Sequence, residues 1–152
     1  LGAVRLGKGQ QLTLNGIAQG FATDLIRDDL HARGFAHALI NIGEYAAIGG
    51  PFRLGLEDPT HGPLGQRTLQ DSAIATSSPG VLRLGAETHI IGPGGEHPLW
   101  STISVEAQDA TLADALSTAA VFMDEPRLDE LKDAAGLLRI TAVDPQGNLA
   151  TL

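Results

Sequence analysis

The chain has 152 residues, with 18 acidic against 10 basic side chains and a formal net charge of −8. That length is a prior for one domain with a real core, hiding roughly 68–70% of the unfolded surface. The acidic balance, with Lys8 and Lys132 the only lysines, excludes a non-specific nucleic-acid binder, which needs a basic face. It does not exclude a metal that bridges acidic side chains to a phosphate. Cysteine is absent, so disulfides, thiolate metal sites and thiol nucleophiles are excluded. No apolar run approaches the ~18 residues of a membrane-spanning helix, and no secretory-signal pattern opens the sequence. The start at Leu1 rather than Met reads as a trimmed piece or the C-terminal part of a longer chain.

Residues 11–14 are expected to form a short strand, followed by Asn15 as a helix N-cap. Residues 16–33 carry a helical stripe in which Ile17, Phe21, Leu25 and Leu30 face the core, with Asp24, Arg27, Asp28 and Asp29 on the wet side. Short strands are expected at 37–42, 45–48 and 52–56, then a polar loop at 61–65 and a strand at 68–75. Residues 81–84 and 88–91 read as a hairpin across Gly85-Ala86, and Gly92-Pro93-Gly94-Gly95 as a loop. Residues 101–106 alternate as a strand; 111–123 and 126–135 are expected helices; 137–143 and 148–152 pair across Asp144-Pro145-Gln146-Gly147. Strict strand–helix alternation is missing. The order predicts an α+β fold: a mostly antiparallel sheet with helices packed on one face.

Four segments can carry chemistry. Asn15-Gly16-Ile17-Ala18-Gln19-Gly20 brings two glycines to a helix start, where unpaired N–H groups favour an anion; a tight, closely packed turn is the structural alternative. Asp114 and Thr118 lie four apart on a helix of small and apolar residues. A carboxylate there needs a partner, either a hard oxygen-seeking cation such as Mg²⁺ or Ca²⁺, or Thr118 and a helix N-terminus. Ala75-Thr76-Ser77-Ser78 is a hydroxyl cluster suited to phosphate or ribose, or a plain turn. His89, in a short apolar strand, is a general base or a satisfied core histidine; no two of the five histidines have zinc spacing.

Taken in order, these segments resemble the FAD:protein FMN transferase family, also called the ApbE family. Its D-L-G-G-I-A-K-G-Y-A-x-D stands here as Thr13-Leu14-Asn15-Gly16-Ile17-Ala18-Gln19-Gly20-Phe21-Ala22-Thr23-Asp24. Its N-[LI]-G-G is Asn41-Ile42-Gly43-Glu44, and its G-I-E-D-P is Gly55-Leu56-Glu57-Asp58-Pro59. Its A-T-S-G is Ala75-Thr76-Ser77-Ser78, its H-I-I-D-P is His89-Ile90-Ile91-Gly92-Pro93, and its A-D-A-L-[SA]-T-A runs from Ala113 to Ala119.

The resemblance implies an ApbE-like, T-fold-like domain over residues 1–152, the C-terminal part of a longer chain whose N-terminal part completes the flavin pocket. It implies a Mg²⁺-dependent transferase that takes FAD as substrate, attaches FMN to a threonine of an acceptor flavoprotein and releases AMP. It places the metal on Asp114, Thr118 and the Ala18 carbonyl, makes His89 the catalytic base, and puts Gly16, Gln19, Gly20, Gly43, Glu57, Thr76 and Ser77 around the cofactor. It also implies a periplasmic or membrane-tethered location. Four departures stand out: Thr13 for Asp, Gln19 for Lys, Glu44 for Gly and Gly92 for Asp. The loss of the lysine removes a charge-assisted phosphate contact of about 1.5–3 kcal/mol. These departures support an alternative: a degenerate flavin- or metal-binding module without transferase activity.

Overall fold

The computed structural model describes residues 3–85 and 87–152. The elements are α1 (Ala18–Ala32), β1 (Ala38–Asn41), β2 (Tyr45–Ile48), β3 (Phe52–Asp58), β4 (Gly62–Leu69), β5 (Ala73–Ser77), a 3₁₀ turn (Pro79–Val81), β6 (Arg83–Leu84), β7 (Glu87–Thr88), β8 (Thr102–Ala107), α2 (Ala110–Ala120), α3 (Glu125–Ala135), β9 (Arg139–Val143) and β10 (Leu149–Thr151). Six strands form one sheet in the order β1-β2-β5-β8-β9-β10, antiparallel at every pairing. The expected α+β architecture is the observed one.

Alternation along the strands divides the two faces of the sheet. Ala75, Ile103, Val105, Ala107, Ile140 and Ala142 point to the helices and close a core with Ala113, Ala120 and Leu128. On the opposite face Ala47 and Ile74 meet Leu56 and Leu69 of the β3–β4 ribbon. Elsewhere on that face Thr102, Ser104, Glu106 and Thr141 are polar yet buried, while Thr76 is exposed. Strand β8, central and covered on both sides, is therefore buried at all six positions.

Asp58, fully buried at the end of β3, ties the ribbon to the sheet. Its carboxylate accepts from the hydroxyls of Ser101 and Thr102, both at 2.7 Å, and from the N–H groups of Thr60 and His61 at 2.8 and 2.7 Å. Burial opposes its ionisation, but the four donors prevail and hold its pKa at about 2, below the ordinary 3.8. A depressed carboxylate contributes stability above its unfolded pKa and loses that contribution as pH falls toward the folded value. Asp58→Ala is therefore expected to cost ~3 kcal/mol in urea denaturation near neutral pH, since four donors lose their acceptor. Wild type should lose stability relative to Asp58→Asn between pH 3.8 and about 2; parallel acid-unfolding curves would contradict this.

Several local expectations are corrected. Residues 11–14 form no strand, and Asn15 is not the helix cap. Ile17 and Ala18 instead donate to the Leu14 carbonyl at 3.1 and 2.9 Å, a turn that delays the helix until Ala18. The apolar stripe of α1 points the other way: Phe21 and Leu25 are 55% and 56% exposed, while Gly20, Thr23 and Asp24 are buried. Helix α1 packs on α2 through its small side chains, because only these allow the backbones to approach. Of the polar stretch at 61–65, all but His61 belongs to β4, where Gly62 and Gly65 pair with Asp58 and Leu56 in a two-stranded ribbon that tolerates glycine. The single strand expected at 68–75 is the end of β4 and the start of β5, broken between them. The hairpin after it is confined to β6 and β7, and Ala86 of its turn lies outside the described residues.

Candidate active site

Helix α2 is fixed at its N-terminus by two carboxylates. Asp109 caps it, accepting from the Leu112 N–H at 2.7 Å. Asp24 reaches across from α1 and accepts from the N–H groups of Ala110 and Thr111, at 2.9 and 2.8 Å, and from the Thr111 hydroxyl. Arg27 pairs with Asp24 at 3.1 Å. One turn into α2, Asp114 is buried and its Oδ2 accepts from the Gly20 N–H at 2.8 Å. Gly20 is required there, because a Cβ would run into the Ala110 carbonyl and stand 2.7 Å from the Asp114 Cβ. Gly16, just before α1, lies against Thr118, where a Cβ would stand 2.9 Å from the threonine methyl.

The hydroxyls beside Asp114 have a determined sense of donation. Ser117 donates its one proton to the Asp114 carbonyl at 3.1 Å. Ser77 Oγ, 2.8 Å from Ser117 Oγ, must then donate to it. Ser77 has no second proton, so in the 3.3 Å contact with Thr118 Oγ1 the threonine donates. Thr118 is left with oxygen lone pairs for any further partner, which suits a cation.

The turn between β1 and β2 supplies a second carboxylate. Gly43 holds φ +122°, a conformation reserved for glycine, and a Cβ there would stand 2.7 Å from Gln19 Nε2. The next residue, Glu44, is buried. Its Oε2 accepts a long bond, 3.3 Å, from the Thr76 N–H. Burial, helped by the negative charge of Asp114, pushes the Glu44 carboxyl up to about 7, with the Thr76 bond opposing. Burial also raises Asp114, against the Gly20 N–H.

These groups share one cleft of about 740 Å³, whose described lining contains Glu44, Asp114, Thr118 and His89 but neither lysine nor arginine. His89 stands exposed after β7 rather than inside an apolar strand. Its Nδ1 lies 3.1 Å from the carbonyls of Pro79 and Leu82, which only accept, so Nδ1 carries the proton and Nε2 is a bare acceptor in the neutral ring. Of the residues expected around a cofactor, Gly16, Gln19, Thr76 and Ser77 line the cleft. Gly20 and Gly43 abut its lining residues Asp114 and Gln19, and Ala18 stands between Gly16 and Gly20 without lining it. Glu57 is exposed on β3 and lies outside the cleft. Asn15 and Ser78, members of two of the candidate segments, also line it, as does Glu44, which was not among the expected site residues. For Glu44 the signal was present: an acid directly after a turn glycine, opposite a hydroxyl cluster.

The ApbE family profile matches residues 3–139, nine-tenths of the chain. The chain belongs to the ApbE family. Among solved structures it is similar to the ApbE protein of Thermotoga maritima, with a TM-score of 0.80 and 26% identity over 94% of this chain and 52% of that one. The flavinyl transferase ApbE of Pseudomonas stutzeri, in its apo form, gives 0.71 and 25% over 93% and 49%. For the flavin transferase ApbE of Vibrio cholerae the values are 0.73 and 24% over 91% and 49%. None of the curated proteins matches the sequence significantly. The chain thus spans about half the length of these solved ApbE proteins. Against the ApbE pattern, Gln19 leaves the cleft without the usual lysine, and Glu44 is accommodated because Gly43 alone bears the tight turn.

Proposed function

We propose that the protein is a magnesium-dependent transferase that moves the FMN half of FAD onto a threonine hydroxyl of an acceptor flavoprotein and releases AMP. The observation that carries this reading is the convergence of Asp114, Glu44, Thr118 and His89 on one cleft that contains no lysine or arginine among its described residues. A pyrophosphate enters such a cleft only with a cation, and the oxygens of Asp114 and Thr118 are hard donors of the kind Mg²⁺ takes, to which the ApbE resemblance adds the Ala18 carbonyl. When bound, the metal would neutralise charge on the pyrophosphate and on its leaving oxygen.

The chain's own residues do the rest. Gly16, bare of a side chain, gives Thr118 its place against the start of α1 on the cleft wall. The threonine oxygen of the acceptor attacks the phosphorus of the FMN half, its proton passes to His89 Nε2, and the bond to the AMP oxygen breaks. The flavin ring is completed in its pocket by the part of the ApbE fold that this chain does not span. Glu57 has no place in this reading.

The test is to incubate the whole protein with FAD, Mg²⁺ and a threonine-containing acceptor. Covalent flavin on the acceptor, equimolar AMP, and at least a ~100-fold loss in Asp114→Ala are expected. FAD binding with no AMP would establish the second reading, a flavin-binding module, which Gln19 in place of a lysine favours.

A further inference from the structure

Glu44 stands where the ApbE pattern has glycine, and its surroundings give it a task. It is 7% exposed and Asp114 is 5% exposed, so both residues are more than nine-tenths buried, with their carboxylates on the cleft wall. Each uses one oxygen: Glu44 Oε2 accepts from Thr76 and Asp114 Oδ2 from Gly20. The second oxygen of each has no hydrogen bond among the described residues, although both side chains line the same cleft. Neither carboxylate has an ion pair among the described residues. Two buried like charges without a counter-charge are costly, and a cation between them removes the cost. Thr118, on the same cleft wall, adds a third oxygen.

We propose that Glu44 is a metal ligand: its unengaged oxygen and that of Asp114 hold one divalent cation between them, so that the protein binds the metal before any nucleotide arrives. This rests on the transferase reading only for the metal's later use. With a single carboxylate, a magnesium site leans on substrate phosphates to complete its shell. With two, the chain itself neutralises the ion. The added acid thereby offsets the missing lysine: the cation is resident, and the positive charge that Gln19 lacks is supplied from below. Among divalent ions the all-oxygen set selects Mg²⁺, Mn²⁺ or Ca²⁺ over zinc.

The experiment is a titration of the whole protein with Mn²⁺, without FAD, read by the electron paramagnetic resonance of the unbound ion, with Mg²⁺ as competitor. One Mn²⁺ site is expected in wild type. Both Glu44→Gln and Glu44→Gly should weaken it by about tenfold or more, and Asp114→Asn should do the same. Addition of FAD should restore Mn²⁺ binding to Glu44→Gly, because phosphate oxygens replace the carboxylate. Metal-free Glu44→Gln should melt no lower than wild type, which separates a ligand from a structural prop. Wild-type affinity in Glu44→Gln, or no Mn²⁺ bound by wild type without FAD, overturns the proposal. AMP release is scored separately. Mn²⁺ held through Glu44 with no AMP from FAD retains the ligand and rejects the transferase. Transfer with unchanged Mn²⁺ affinity in Glu44→Gln does the reverse.

Discussion

Alanine at Gly20 is expected to destabilise the protein by ~3 kcal/mol or more and to disable the cleft at the same time. The added methyl would overlap the Ala110 carbonyl and press on Asp114 Cβ at 2.7 Å. Both obstacles are α2 itself, so neither can swing aside as the tip of a flexible side chain would. The helices must separate, and the Gly20 N–H is then withdrawn from Asp114 Oδ2, now at 2.8 Å. The denaturation midpoint in urea measures the first effect. Mn²⁺ affinity measures the second. An unfolding free energy within ~0.5 kcal/mol of wild type would show that the two helices can move apart at little cost.

Asp24→Ala is expected to cost a similar ~3 kcal/mol. Two N–H groups at the start of α2 and the Thr111 hydroxyl lose their acceptor together, and Arg27 keeps Asp28 and the Gln108 carbonyl, both at 3.2 Å. The cap from Asp109 and the Gly20–Asp114 bond remain, so α2 should persist while the tie at its N-terminus is lost. Hydrogen exchange would report this as faster exchange at Ala110 and Thr111 with Leu112 still protected. Asp24→Asn should cost less, since its one carbonyl oxygen still accepts. Uniform exchange across α2 in Asp24→Ala would contradict the assignment.

Much of this fold was legible from patterns that are local in the chain. The strand at 45–48 coincides with β2, and the hairpin at the C-terminus with β9 and β10, because apolar alternation and the turn Asp144-Pro145-Gln146-Gly147 are short-range signals. The same signals misled at α1. Periodicity there marks an apolar face at Phe21 and Leu25, but it does not say what the helix packs against, and the contact with α2 depends on what Gly20 lacks. Asp24 looked solvated for a related reason: its partners are N–H groups some eighty residues away, at the start of another helix. Glycine and proline at 62–65 read as a loop because composition cannot distinguish a turn from a tolerant ribbon strand. In the site, motif order brought Asp114, Thr118, Ser77 and Gly16 together correctly as neighbours. Glu44 was visible only as a departure, since its meaning depends on an acid seventy residues away.

Asp58 reaches further than the ribbon it anchors. An ionised carboxylate has nothing to give, so the Thr102 hydroxyl at 2.7 Å must spend its proton on it. Ser78 Oγ, 2.8 Å from Thr102 Oγ1 and on the wall of the cleft, must in turn spend its own proton on Thr102. The chain of donation runs one way, from the cleft wall down to the buried charge, and it sets the polarity of that wall. Any group of a ligand that meets Ser78 Oγ has to bring a proton of its own: a sugar hydroxyl or a base amino group is welcome at that oxygen, and a bare phosphate oxygen is not.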